Sequence, residues 1–133
     1  MNFRNSVVFS SLFVSISLLS SCTSDAKLDD RTKDQLLGRW EIIEATRNGN
    51  PTETLDDLFF EFSEEGIMRS NILGASYKAT YEIRADAIRQ IGDENGMDLE
   101  YIIESITDST LILNTDLRRF KFHFNLKKIH QEE

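Results

Sequence analysis

Apolar and polar residues alternate along most of the chain after Gly38, with the period of two that is typical of β-strands. The alternation is clearest over residues 77–84 and 119–126, where every second residue is aromatic or aliphatic. Short segments rich in Gly, Asn, Asp and Ser separate these runs and indicate turns. The pattern predicts eight strands, at residues 40–46, 58–62, 67–72, 77–84, 87–91, 99–103, 111–113 and 119–126.

The first predicted strand contains a change of phase at Ile43, where the apolar residues move from one face to the other. One extra residue in a strand produces such a change, so we expect a β-bulge there. The Asn48-Gly49 pair that follows predicts a tight hairpin turn. Further turns are predicted at residues 85–86 and 114–117.

The connections between the predicted strands are too short for a parallel crossover, so neighbouring strands must pair antiparallel. Each strand has one apolar and one polar face, which indicates a sheet with one side packed inward and the other in water. Eight such strands can close on themselves, and closure removes the exposed sheet edges. We therefore predict an all-β fold, an eight-stranded antiparallel up-and-down barrel in one domain over residues 32–130.

One short N-terminal helical turn is expected before the first strand. Thr32 and Gln35 have the spacing of a capping box, the two leucines that follow supply one apolar turn, and Gly38 is suited to end it. Residues 22–31 are polar and lack a hydrophobic period, which indicates a flexible tether.

The N-terminus has the features of a signal peptide over residues 1–21. Arg4 lies in a short polar start, and nine of the thirteen residues at 7–19 are apolar. This stretch is shorter than the roughly 20 apolar residues that a transmembrane helix needs. Residues 19–22, with the sequence Leu-Ser-Ser-Cys, resemble the lipobox of bacterial lipoproteins. Cys22 is the only cysteine of the chain, so no internal disulfide can form.

The lipobox resemblance implies cleavage before Cys22 and attachment of acyl chains, such as palmitate, through a thioether at its thiol. Two or more acyl chains are enough for a stable membrane anchor. Thr23 replaces the aspartate that retains many Gram-negative lipoproteins in the inner membrane, which implies the outer membrane of the cell envelope. Asp25, Asp29 and Asp30 resemble the acidic stretch that takes some lipoproteins to the cell surface. The alternative is an ordinary secreted protein with a stray cysteine.

The sequence Gly-Arg-Trp at residues 38–40 opens the first strand directly after the helical turn. A Gly-x-Trp at this point of an eight-stranded barrel resembles the start motif of the lipocalins. The wider pattern, over residues 36–129, is similar to the small lipocalin-like domains of bacterial envelope lipoproteins. The resemblance implies that Trp40 plugs the closed end of the barrel and that a basic residue near the last strand, Lys127 or Lys128, covers it.

The inner face of the barrel is the candidate ligand site. An eight-stranded barrel is wide enough either to be filled by its own side chains or to hold one small ligand. Tyrosine hydroxyls favour a pocket because they need a polar partner or water. The aromatic residues expected there are Trp40, Phe60, Phe62, Tyr77, Tyr81, Tyr101, Phe122 and Phe124.

The chain carries 15 basic and 23 acidic residues, which give a formal net charge of -8. An acidic domain repels phosphate backbones, which argues against nucleic acid as a partner. His123 and His130 have no cysteine partner for a transition-metal site, and no nucleophile elbow or phosphate-binding loop is present. We therefore expect no metal, no cofactor and no enzymatic activity.

Two functions fit these observations. The first is a lipid-anchored module that binds a small apolar or amphipathic ligand in the barrel. The second is an interaction or scaffold protein of the envelope, with a filled barrel, no ligand and other envelope proteins as partners. A cavity larger than roughly 300 Å³ would favour the first function. A packed interior with an exposed apolar patch would favour the second.

Overall fold

The computed structural model describes residues 24–92 and 98–130, with side chains from residue 30 onward. In this part of the chain one helix precedes a series of strands. The helix α1 spans Ser24–Leu36, and the strands are β1 (Gly38–Arg47), β2 (Asn50–Pro51), β3 (Phe59–Phe62), β4 (Ile67–Ser70), β5 (Tyr77–Arg84), β6 (Ala87–Ile91), β7 (Leu99–Ile106), β8 (Thr110–Leu117) and β9 (Phe120–Ile129).

Eight of the described strands form a closed antiparallel barrel. β1 pairs with β3, and the strands from β3 to β9 then follow in chain order. β9 returns to pair with β1 over residues 39–47, which closes the sheet. The two-residue β2 only extends the hairpin that follows β1. The predicted eight-stranded antiparallel up-and-down barrel is therefore confirmed.

Side chains alternate between the barrel interior and the solvent as the sequence pattern predicts. In β4, for example, Met68 and Ser70 are buried and Arg69 is exposed. The phase change in β1 is a β-bulge between Ile42 and Glu44 in the pairing with β9, as predicted. Because the extra residue is absorbed there, the second half of β1 again directs its apolar side chains inward.

The helix α1 is longer than the single turn predicted from the capping box. It begins at Ser24, so Thr32 lies inside the helix and is not its N-cap, and the helix covers most of the segment predicted as a flexible tether (residues 22–31). A mostly polar segment can be helical when a few of its residues pack, and in α1 these include the buried Thr32 and the last turn. Here that turn carries Leu36, which is fully buried against the barrel.

The turn between β8 and β9 lies later than predicted. β8 continues through residues 114–117, and the turn consists of Arg118 and Arg119. Both arginines have positive φ angles, 51° and 72°. The prediction was wrong here because Asn114 and its neighbours are common turn residues, whereas two arginines are an unusual choice for a left-handed turn.

Trp40 closes the end of the barrel next to α1. Its Nε1 donates a 2.8 Å hydrogen bond to the carbonyl of Leu36. Lys128 Nζ donates a 2.9 Å hydrogen bond to the carbonyl of Gln35 and lies 4.9 Å from the centre of the Trp40 ring. These contacts satisfy two carbonyls at the helix C-terminus and place a cation over the indole. Of the two lysines considered, Lys128 covers Trp40, and Lys127 is exposed.

Candidate binding site

Six of the eight aromatic residues predicted for the interior belong to the packed core. Their side chains have exposed fractions between 0% and 7%, and they are Trp40, Phe60, Phe62, Tyr81, Tyr101 and Phe124. The ring of Phe60 lies 5.2 Å from the ring of Tyr101 and 6.2 Å from that of Phe124. Contacts at these distances are typical of aromatic core packing. The pattern places these residues correctly inside the barrel, and their contact with a ligand stays a prediction.

The other two predicted residues, Tyr77 and Phe122, are half-buried and lie toward the open end of the barrel, opposite α1. Tyr77 donates a 2.8 Å hydrogen bond to Oε1 of the buried Gln90, and the Tyr101 hydroxyl lies 3.4 Å from the same oxygen. Burial raises the pKa of Tyr101 well above its ordinary value, and Tyr77 adds to this increase. The interior is therefore apolar near α1 and contains a polar group of residues toward the open end.

A cleft of about 580 Å³ opens at this end, where β7 and β8 separate. The hydrogen-bonded ladder between these strands ends at Ile102 and Asn114, although both strands continue toward the open end. Beyond the ladder the Thr115 hydroxyl donates a 2.7 Å hydrogen bond to the main-chain carbonyl of Glu100. A side chain thus bridges the strands where main-chain pairing has stopped, and the separation leaves room between them.

The walls of the cleft combine apolar and polar side chains. The apolar part is formed by Leu99, Ile102 and Phe122. The polar part comes from the β1–β2 hairpin and from β7, β8 and β9, and its residues are Thr46, Gly49, Asp98, Glu100, Asn114, Thr115, Asp116, Lys121 and His123. The volume lies within the range of small-molecule sites, and the lining offers both apolar and polar contacts.

Two of the acidic residues in the cleft have partners of their own. Asp98 accepts a 2.9 Å hydrogen bond from the main-chain N–H of Gly92. Glu100 lies 3.9 Å from the guanidinium of Arg89. These carboxylates therefore add less negative potential to the cleft than free carboxylates would.

His123 faces outward, as the alternation in β9 predicts, and belongs to a polar cluster on the outer wall that forms part of the cleft lining. Its Nδ1 lies 2.8 Å from Oδ1 of Asn114 and 3.5 Å from a carboxylate oxygen of Glu104. Asn114 also donates a 2.9 Å hydrogen bond to Glu104, so the cluster joins β7, β8 and β9. Within residues 24–92 and 98–130, no three His, Cys, Asp or Glu side chains are close enough together to bind a metal ion.

The sequence does not predict the cleft. Leu99 and Ile102 belong to predicted strands, and Lys121 and Thr115 carry no motif, so nothing in the sequence marks them as neighbours. Their proximity depends on where the ladder between β7 and β8 stops. Only Phe122 is both a predicted ligand residue and part of the cleft.

The predicted signal peptide and Cys22 lie outside the described residues. The helix α1 begins two residues after Cys22. In the part of the chain that the structure describes, every helix is too short or too polar to cross a membrane.

Comparison with known proteins identifies the fold. No family model and no curated protein matches the sequence. Two solved structures are similar to the barrel, a lipocalin-like protein from Bacteroides uniformis (TM-score 0.54, 17% identity) and an uncharacterized protein from Bacteroides eggerthii (TM-score 0.52, 16% identity). Each comparison covers 71% of this chain and 99% of the other chain. The chain therefore has the fold of a lipocalin-like β-barrel.

Proposed function

We propose that the protein is a lipid-anchored lipoprotein of the bacterial envelope that binds a small amphipathic ligand. The observation that supports binding is the 580 Å³ cleft at the open end, with its apolar and polar walls. The lipobox at residues 19–22 supports the anchor. The likeness to lipocalin-like structures is a likeness of fold and leaves the ligand to be found by experiment.

The cleft is a better site than the centre of the barrel. The rings of Phe60, Tyr101 and Phe124 contact one another there, so a ligand among them would have to displace core side chains. Such displacement costs the packing energy of buried aromatic residues, about 3–5 kcal/mol for each ring removed. A ligand in the cleft instead covers the exposed Ile102 and the half-buried Phe122 and meets the polar side chains around them without moving the core.

A charge placed in the cleft tests this proposal. Ile102 is 37% exposed and lines the cleft, so Ile102→Glu adds a carboxylate to the site with little expected effect on stability. Ile43 is 57% exposed on β1 and does not line the cleft, so Ile43→Glu is the matched control. Binding of octyl glucoside, below the concentration at which it forms micelles, is measured by calorimetry.

We expect the Ile102→Glu variant to bind octyl glucoside at least tenfold more weakly than the original protein, because burying a carboxylate against an alkyl chain is costly. The Ile43→Glu variant should bind like the original protein. Equal binding by all three proteins would contradict the cleft as the site. Absence of binding to the original protein would contradict the binding function for this class of ligand.

A second function, an envelope interaction or scaffold protein, is supported by other features. Much of the interior is filled by its own side chains, and Ile43, Ile91 and Phe120 are large apolar residues with exposed fractions of 40% or more. Exposed apolar residues of this size can contribute to protein interfaces. Cross-linking in intact cells distinguishes the two functions, because a scaffold gives a defined protein adduct whose yield falls in the Ile43→Glu variant.

A further inference from the structure

We propose that the Arg118-Arg119 turn is an anion-binding site that holds the charged head group of the ligand. This inference rests on the proposed function, since the apolar part of the same ligand would lie in the cleft. It narrows the ligand class to amphipathic molecules with a negatively charged head, such as a phosphate or a carboxylate.

The backbone of the turn gives the first reason. Arg118 and Arg119 both have left-handed φ angles, 51° and 72°, which strain residues that carry a Cβ. The same chain makes another turn with two left-handed residues at Asn48 and Gly49, whose φ angles are 51° and 81°. There it uses the residue pair that this conformation favours. Strain of this kind is concentrated at functional sites, so the two arginines indicate a role beyond the turn itself.

The local charge gives the second reason. The chain as a whole has a net charge of -8. Four basic residues nevertheless lie together at the rim of the open end of the barrel, and they are Arg47, Arg118, Arg119 and Lys121. Lys121 is paired with Asp116 at 3.4 Å. The three arginines form no ion pair with any acidic residue that the structure describes, so their charges are available to a ligand.

Arginine side chains are well suited to binding a negatively charged head group. Its planar guanidinium binds phosphate or carboxylate through two parallel hydrogen bonds, and it stacks on aromatic rings. Arg47 lies 5.0 Å from the centre of the Phe120 ring, and Phe120 is 40% exposed. The rim therefore offers charge together with apolar surface.

The rim is continuous with the cleft. Asp116 and Lys121 line the cleft and pair with each other, and only the Leu117–Phe120 pair separates them from the turn. Phe122, the next residue along β9, belongs to the apolar wall. A molecule with its alkyl chain over Phe122 can therefore place its head group beside Lys121 and the two arginines.

The first experiment compares three probes by calorimetry at an ionic strength of about 0.15 M, where the Debye length is about 8 Å. The protein is the chain from Thr23 onward, since residues 24–92 and 98–130 contain the closed sheet and its core. Octyl phosphate should bind at least tenfold more tightly than octyl glucoside, which has no charge, and than inorganic phosphate, which has no alkyl chain. Equal binding of octyl phosphate and octyl glucoside would overturn the anion site and leave the proposed function intact. Equal binding of inorganic phosphate would overturn the assignment to an amphipathic ligand.

The second experiment replaces the turn by the residue pair that the chain uses in its other left-handed turn. The R118N/R119G variant should bind octyl phosphate at least tenfold more weakly and should bind octyl glucoside unchanged. Its melting temperature should be higher than that of the original protein, because the strain is removed. A structural role for the arginines predicts the opposite change in melting temperature.

The control variant changes the net charge by more than R118N/R119G does, and its substitutions lie elsewhere on the barrel. Arg69 and Lys78 are exposed and lie opposite each other on β4 and β5, away from the cleft. The R69E/K78E variant should bind octyl phosphate within a factor of about two of the original protein, because distant exposed charges are screened by salt. If this control weakened the binding of octyl phosphate as much as R118N/R119G does, general electrostatic attraction would explain the binding and the anion site would be disproved. If R118N/R119G bound octyl phosphate normally, the anion site would be disproved.

Discussion

Trp40 and Tyr101 illustrate two different kinds of buried residue in the barrel. Trp40 packs in the apolar core with Lys128 above its ring, and its only polar atom is satisfied by the carbonyl of Leu36. Tyr101 is equally buried, but its hydroxyl belongs to the polar group around Gln90. The first residue therefore contributes mainly through packing, whereas the second makes stability depend on pH.

Replacing Trp40 by alanine should lower the free energy of unfolding by about 3–5 kcal/mol, because the change removes a fully buried aromatic ring and leaves a cavity. Urea denaturation followed by circular dichroism measures the loss. Phe120→Ala is the control, since this ring is 40% exposed and its loss should cost much less. Equal losses in the two variants would show that Trp40 is not part of the core.

Tyr101 should make the protein less stable in alkaline solution. An unfolded tyrosine ionises near pH 10, whereas burial keeps Tyr101 protonated to higher pH in the folded state. The folded protein then binds more protons than the unfolded chain, so the free energy of unfolding falls as the pH rises above about 10.

The Tyr101→Phe variant lacks this ionisation, and its free energy of unfolding should fall less steeply with pH. Urea denaturation between about pH 9 and pH 11 measures both slopes, within the range where tyrosine titrates. The curves of the two proteins should run parallel below about pH 9. Parallel curves above pH 10 would contradict the pKa shift inferred from burial.

At the level of secondary structure, the sequence predicts what depends on periodicity and misses what depends on packing. The strands and the bulge after Ile42 follow from the alternation of apolar residues. The start of α1 at Ser24 does not, because a polar helix has no apolar period to detect. The β8–β9 turn is missed because its arginines are unusual turn residues. The cleft is missed because the point where the ladder between β7 and β8 ends, at Ile102 and Asn114, has no mark in the sequence.

The docking of α1 on the barrel should depend on Lys128. Lys128→Met removes the hydrogen bond to Gln35 and the cation above Trp40, and should lower the free energy of unfolding by about 1 kcal/mol. For a domain of about 100 residues this corresponds to a fall in melting temperature of roughly 4 °C or more. The neighbouring Lys127→Met should leave the melting temperature nearly unchanged, since Lys127 is exposed. Equal changes of melting temperature in the two variants would mean that Lys128 does not hold α1 on the barrel.

For the whole molecule, the structure changes the expected form of the segment that precedes the barrel. The sequence predicts a flexible tether between Cys22 and the barrel, whereas α1 occupies most of this segment. A helix of thirteen residues is about 20 Å long. We therefore expect lipid on Cys22 to hold the barrel through a short spacer that is largely helical.

Cys22→Ala tests the proposed anchor, because the resemblance to a lipobox implies that the acyl chains are attached through this thiol. We expect the variant to lose metabolic labelling by a fatty-acid analogue and to leave the membrane fraction. Cys22→Ser is a useful second variant, since it keeps the size of the side chain but cannot form a thioether. Labelling that persisted in either variant would show that the anchor lies elsewhere.

The most direct test of the central claim, that the ligand binds in the cleft of a barrel whose core stays packed, is nuclear magnetic resonance of the ¹⁵N-labelled protein titrated with octyl phosphate. Main-chain signals of Leu99, Thr115 and Phe122 should shift with increasing ligand, and the indole signal of Trp40 should stay in place. Large shifts at Trp40 and Phe60, with none along the cleft, would contradict the claim and place the ligand inside the barrel.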